Sequence, residues 1–98
     1  MSEVTPVKIP LANLCRMLAE PARWRLLREL AKGEAMPVKE LARRIGKSPD
    51  MTSKHLAILR EAGMVEAKYG RIYQLVPAIM PAPGATHLDF GHCLLKLE

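Results

Sequence analysis

Two helices separated by only a short turn constrain the fold of this chain most strongly, and they lie within residues 37–63. Gly46 ends a segment, PVKELARRI, whose apolar residues repeat at helical spacing. Ser48-Pro49-Asp50 then marks the start of a second helix. Serine caps a helix N-terminus, proline suits its first position and an acid favours its first turn. Gly63 is a natural end for this helix.

A short hairpin is predicted to follow these helices. The segments Met64–Lys68 and Arg71–Val76 read as strands, and they are joined at Tyr69-Gly70. Glycine provides the positive φ that a tight hairpin turn needs. A helix that enters the major groove of duplex DNA, with a basic hairpin on the flanking backbone, is an arrangement that fits this order of elements.

Two further helices are predicted before this unit. The first begins near Pro10, and Glu20-Pro21 separates it from the second, which Gly33 ends. In all four helices the apolar residues fall on one face at helical spacing. The residues predicted to face inward are Leu11, Leu14, Cys15 and Leu18 in the first; Trp24, Leu27, Leu30 and Ala31 in the second; Val38, Leu41, Ala42 and Ile45 in the third; and Thr52, Leu56 and Leu59 in the fourth.

The C-terminal tail has a different pattern. Prolines at positions 77, 81 and 83, followed by a glycine, disfavour helix there. From Thr86 onward the apolar residues alternate as they do in a strand. Leu88 and Phe90 share one face, whereas Cys93, Leu95 and Leu97 share the other. An extra residue at Gly91 would bring both sets to one face, as a β-bulge does.

These elements predict one small domain that is mainly α with a small β part. We expect a flexible arm at residues 1–8 and a winged helix-turn-helix domain at 9–76, with three to four helices and a β-hairpin wing. Residues 77–98 are predicted to form a proline-rich connector and a strand-like tail that serves dimerisation. A chain of 98 residues buries a limited core, so pairing of two copies would help to stabilise it.

Composition favours a polyanionic partner. The net charge is +5 and the pI about 9.6, and residues 36–71 hold eight basic residues against four acidic ones. Clustered positive charge beside a helix that fits a groove indicates nucleic acid. The N-terminus lacks the apolar core of a signal peptide, and no apolar run reaches membrane-spanning length. We therefore expect a cytoplasmic protein without a membrane partner. The sequence contains no catalytic motif, so we do not expect an enzyme.

Three segments, AEPARWRLLREL, VKELARRIGKSPDMTSKHLAILREAGMVEAK and GRIYQL, resemble the ArsR-type winged-helix transcriptional repressors. The resemblance covers residues 11–76 and is most specific in TSKHLAILREAGMV. It implies a homodimer that binds double-stranded DNA at a palindromic operator until a signal, such as an unknown small-molecule inducer, releases it. Metal-sensing members carry a cysteine pair at the start of the third helix, where this chain reads MPVKELA. Members commonly end in a dimerising helix, where this chain has prolines and the strand-like tail.

The outward side of the fourth helix and the hairpin tip hold the predicted DNA contacts. Lys54 can reach a phosphate or a guanine edge, and Ser53 a base or the backbone. Asp50 either accepts a hydrogen bond from a cytosine amine or only stabilises the helix N-terminus by its negative charge. His55 either bonds a phosphate or serves the packing between helices. The full predicted set is Ser48, Pro49, Asp50, Met51, Ser53, Lys54, His55, Arg60, Lys68, Tyr69 and Arg71.

Dimerisation is assigned to the first helix and the tail. The predicted interface residues are Leu11, Leu14, Cys15, Leu18, Leu88, Phe90, Leu95 and Leu97. The candidate metal ligands are His87, Asp89, His92 and Cys93, whose donor atoms suit a first-row metal, and no cofactor is expected. Two alternatives stay open: a winged helix that docks a protein partner, and a repressor gated by metal or thiol oxidation through this cluster.

Overall fold

The computed structural model describes residues 9–90 and 94–97, in which four helices and five short strands form. The helices are α1 Leu11–Leu18, α2 Pro21–Leu30, α3 Val38–Ile45 and α4 Pro49–Glu61. The strands are β1 Met36–Pro37, β2 Val65–Lys68, β3 Ile72–Leu75, β4 His87–Asp89 and β5 Leu94–Lys96. The predicted mainly α fold with a β-hairpin wing is confirmed. The predicted arm, the bulge at Gly91 and the candidates His92 and Cys93 lie outside the described residues.

Side chains cap the N-termini of α2 and α4, whereas α1 and α3 follow prolines and have no side-chain cap. The Ser48 hydroxyl accepts a hydrogen bond from the Met51 N–H at 3.2 Å and so caps α4. At the boundary between the first two helices, the Arg23 guanidinium Nε donates to the carbonyl of Met17 at 2.8 Å. This bond satisfies a carbonyl in the last turn of α1 and links the end of α1 to α2. None of the helices in residues 9–90 is long and apolar enough to cross a membrane.

The wing is part of a three-stranded antiparallel sheet in the order β1-β3-β2. Strands β2 and β3 pair from Val65 opposite Leu75 to Lys68 opposite Ile72. Strand β1 pairs with the other edge of β3, and its Met36 is buried. Strand β1 was not predicted, because two residues are too few to show a period. This pairing ties the wing directly to the start of α3.

One apolar core joins the helices, the wing and the tail. The predicted inward residues Leu41, Ala42 and Ile45 of α3, and Thr52, Leu56 and Leu59 of α4, are all buried. In α2 the buried set also includes Leu26, while Trp24 is partly buried against the edge of the core. In α1 only Leu14 is fully buried. The first helix therefore contributes much less to the core than its apolar stripe predicts.

The tail differs from the single bulged strand that the sequence predicts. Strands β4 and β5 pair antiparallel, with Leu88 opposite Leu95 and Asp89 opposite Leu94, so the chain reverses direction between residues 89 and 94. The N–H of Leu97 extends the hairpin by donating to the carbonyl of Thr86 at 2.8 Å. Apolar residues alternate in the same way whether one strand continues or the chain turns back to form a second strand. The pattern therefore identified strand but gave the wrong topology.

Candidate nucleic-acid interface

Helix α4 presents a continuous polar side to solvent. Its inner residues Thr52, Leu56 and Leu59 pack against α2 and α3, and their spacing fixes which residues face outward. The predicted contact residues on this outward side are exposed: Ser48, Pro49, Asp50, Met51, Ser53, Lys54 and Arg60. A helix that is held from one side and open along the other has the geometry of a recognition helix.

The cations of α4 and the wing are available to a ligand. Lys54, Arg60, Lys68 and Arg71 are exposed and form no ion pair with another described residue. Met51 is 45% exposed at the start of α4, where an apolar side chain suits the methyl group of a thymine. This surface therefore combines free positive charge with groups that can distinguish bases.

The arginines of α3 are engaged differently. Glu40 bonds both Arg43 and Arg44, with Arg44 Nε at 2.7 Å from its carboxylate. Hydrogen bonds from Arg43 and then Arg44 lower the pKa of Glu40 to about 2. Arg44 also reaches Glu29 on α2 at 3.2 Å. These arginines already have carboxylate partners. From α3 to the wing, the exposed cations that form no ion pair with a described residue are therefore those of α4 and the wing, together with Lys39 on α3 and Lys47 in the turn before α4.

His55 occupies the boundary between the inner and outer sides of α4. Its ring is half-buried, and its Nδ1 is buried with no hydrogen-bond partner among the described residues. The same is true of the hydroxyl of Thr52, one turn earlier. The buried Nδ1 edge lies within the packing while the rest of the ring is half-exposed, so the structural role and the phosphate contact both stay predictions.

The wing tip holds Tyr69 in an uncommon conformation. Tyr69 has φ of 53° and Gly70 of 76°, and the N–H of Arg71 donates to the carbonyl of Lys68 at 3.1 Å to close the turn. The sequence predicted positive φ at Gly70 but not at Tyr69. A side chain with a β-carbon pays about 1–2 kcal/mol for the left-handed region. The Tyr69 ring is nevertheless 89% exposed, so packing does not offset this strain.

The predicted dimer residues fall into two groups. Leu14, Leu88 and Phe90 are at most 1% exposed in the single chain, so they have no surface left for a partner, and their assignment to the interface is corrected. Leu14 on α1, Leu88 on β4 and Phe90 directly after β4 all belong to the apolar core. Leu11 and Cys15 are exposed, and Leu18, Leu95 and Leu97 are half-buried. Leu94 is 62% exposed and was missed, because its parity in the assumed bulged strand pointed elsewhere.

The metal candidates and a cavity lie near the tail. His87 and Asp89 are exposed on the same side of β4, and the His87 ring bonds the Thr86 hydroxyl at 2.8 Å. Among the residues that the structure describes, no three His, Cys, Asp or Glu side chains are placed to hold a metal ion. A cavity of about 540 Å³ lies between the end of α2 and the proline-rich connector, with Arg28, Lys32 and Met80 in its wall. Its volume is within the range of small-molecule sites.

Comparison with known proteins agrees with this geometry. A helix-turn-helix domain family matches residues 18–67, from the end of α1 to the middle of β2. The transcriptional repressor BigR from Xylella fastidiosa is 37% identical, with 69% of this chain and 71% of that chain covered and a TM-score of 0.60. This chain belongs to the ArsR-type winged helix-turn-helix regulators. A comparison with curated proteins found no match.

Two other solved structures extend the similarity of this ArsR-type chain. NolR from Sinorhizobium fredii is 31% identical over 74% of this chain and 78% of that chain, with a TM-score of 0.56. The homodimeric winged helix-turn-helix DNA-binding domain Mb0332 from Mycobacterium bovis, a possible ArsR-family regulator, is 28% identical with a TM-score of 0.58. That match covers 66% of this chain and 62% of the M. bovis chain.

Proposed function

We propose that this protein is a homodimeric repressor that binds a palindromic operator in double-stranded DNA. The observation that carries the proposal is the outward side of α4, with Ser53 and Lys54 exposed beside a wing whose cations are unpaired among the described residues. In a dimer, the two α4 helices would enter successive major grooves about 34 Å apart. Bound across a promoter, such a dimer would obstruct transcription.

Selection from random duplex oligonucleotides tests this proposal. We expect the full chain to enrich one palindromic sequence, and its affinity for that sequence to fall steeply with salt because bound cations displace counterions from phosphates. The rival function, docking of a protein partner through the same basic surface, predicts no enriched sequence. Equal affinity for selected and random duplex would therefore favour the rival.

Arg71 is proposed to contact the DNA backbone rather than a base. It is exposed beside the wing turn and makes no ion pair with the described residues. Arg71→Ala should weaken binding to operator and random duplex by the same factor and lower the slope of log affinity against log salt by about 1. Fluorescence anisotropy over a salt series measures both quantities. A loss confined to the operator would instead make Arg71 a base reader.

The exposed side of α1 is proposed as the centre of the dimer interface. Leu11 is 53% exposed and Cys15 lies one helical turn further along, also exposed. The M. bovis relative is described as homodimeric. Leu11→Asp should yield a monomer that retains its fold, because the charge replaces an apolar contact between subunits while the core is untouched. Sedimentation velocity gives the association state and circular dichroism the fold.

A second variant determines whether the tail shares the interface. Leu94 on β5 is also exposed and apolar, so Leu94→Asp is matched to Leu11→Asp in charge and size. If only Leu11→Asp dissociates the dimer, α1 alone forms the interface. If Leu94→Asp dissociates it as well, the tail hairpin contributes. A dimer that survives both substitutions would contradict the proposed interface.

The signal that releases the DNA is the remaining part of the proposal. We place the small-molecule inducer in the cavity beside Arg28 and Lys32, because its volume and mixed lining suit such a ligand. Gating by metal or thiol through the tail cluster remains the alternative. We propose no catalytic role, and we place the protein in the cytoplasm because a regulator of transcription must reach the genome.

A further inference from the structure

The turn at the wing tip requires positive φ at Tyr69, yet tyrosine is an unusual residue there because glycine or asparagine adopts this φ with less strain. Within residues 9–90 and 94–97, every other residue with positive φ is a glycine. A bulky side chain with positive φ is an outlier that points to a strained or functional position. Because the Tyr69 ring is 89% exposed, its contacts within the chain do not account for its presence.

The surroundings of Tyr69 hold the backbone of the wing tip in place, and the ring projects from it into solvent. The turn hydrogen bond between Lys68 and Arg71 closes directly around it, and β3 is paired on both edges, with β1 and β2. The two flanking side chains are exposed cations without ion pairs among the described residues. An aromatic ring between two free cations is suited to DNA, because the cations bind phosphates while the ring packs against bases or sugars.

We propose that Tyr69 determines sequence preference at the flank of the operator by acting as a wedge in the minor groove. This inference rests on the proposed DNA binding. The ring packs against a base step next to the major-groove site of α4, and Lys68 and Arg71 hold the phosphates on either side. Inserted side chains partly unstack a base step, and pyrimidine–purine steps such as TA resist this least. The preferred flank is therefore a TA step, although Tyr69 forms no hydrogen bond that reads the base.

The test compares the wild-type chain with Tyr69→Asn and Tyr69→Phe on two duplexes. Both duplexes carry the selected operator, with either a TA step or a stiff AA step at the position under the wing. Asparagine accepts positive φ, so it keeps the turn while removing the ring. We expect wild type and Tyr69→Phe to prefer the TA duplex by on the order of tenfold. Tyr69→Asn should bind both duplexes equally, with its melting temperature no lower than that of wild type.

A second readout reports the base step itself. 2-Aminopurine in place of the flanking adenine should brighten when wild type or Tyr69→Phe binds, because unstacking relieves its quenching, and should stay dim with Tyr69→Asn. If Tyr69→Asn keeps the preference for TA and the fluorescence change, the proposed role of Tyr69 as a wedge is wrong, whereas the proposed DNA binding is not contradicted. If the wild-type chain selects no operator at all, the proposed function fails and the wedge fails with it.

Discussion

Replacing Ser53 and Lys54 together by alanine is expected to abolish most of the preference for operator over random duplex. Both side chains lie on the outward side of α4, where a recognition helix meets base edges. Each lost base contact should cost about 1–3 kcal/mol of discrimination. The affinity for random duplex should fall far less, since the cations of the wing remain. Competition binding with labelled operator and unlabelled random duplex measures the ratio directly.

The controls for this double substitution are simple. Alanine is favourable in a helix and both positions are exposed, so the melting temperature should be unchanged. Arg25→Ala removes one positive charge from an exposed position on α2, outside α4 and the wing. It should leave the ratio unaltered. A double variant that discriminates as well as wild type would mean that sequence is read elsewhere.

The helix-turn-helix and the wing were predictable because their signals are local. Ser48-Pro49-Asp50 starts α4 through chemistry within a single turn, and the cap is formed by the predicted hydroxyl. Helical spacing correctly separated Thr52, Leu56 and Leu59 from the outward residues. The start of α4 and the direction its residues face depend on neighbours in sequence, and the packing of the rest of the chain does not change them.

The role of each apolar surface was less predictable, because it depends on contacts distant in sequence. In α1 the spacing correctly aligned Leu11, Leu14 and Cys15, yet of these three only Leu14 is buried in the single chain. In the tail, alternation gave strand but not the reversal that makes β4 and β5 a hairpin. Periodicity shows that a side chain shares a face with others, but not whether the chain or a partner covers that face.

Contacts distant in sequence also limited the prediction of charge, as Arg43 and Arg44 show. Their sequence position, just before the recognition helix, contributes to the basic cluster of residues 36–71. In the structure their guanidinium groups are bonded to Glu40, and Arg44 is also bonded to Glu29 on another helix. Counting charges along a sequence thus overstates the positive potential of α3. Lys54 and Arg71 have no carboxylate partner among the described residues, so their charges are available to DNA. Substitutions at these two positions are therefore more informative.

Phe90→Ala is expected to destabilise the protein by about 3–5 kcal/mol, the range for removing a buried phenylalanine. Phe90 is 1% exposed and lies in the same core cluster as residues of α1, α2 and α4. A small domain has a total stability of about 5–15 kcal/mol, so the variant should be close to unfolding. Urea unfolding measures the loss, with the protein concentration held constant because dimerisation also adds stability.

Leu94→Ala is the matched control for Phe90→Ala. It also truncates an apolar side chain of the tail, but one that is 62% exposed. With both variants made in the Leu11→Asp background, where no dimer adds stability, Leu94→Ala should change stability by no more than about 0.5 kcal/mol. The comparison decides between two roles for the tail. As a separable dimerisation element it would tolerate Phe90→Ala without loss of the monomer fold. As a part of the core, which the burial of Leu88 and Phe90 indicates, it cannot be deleted without unfolding the domain that binds DNA.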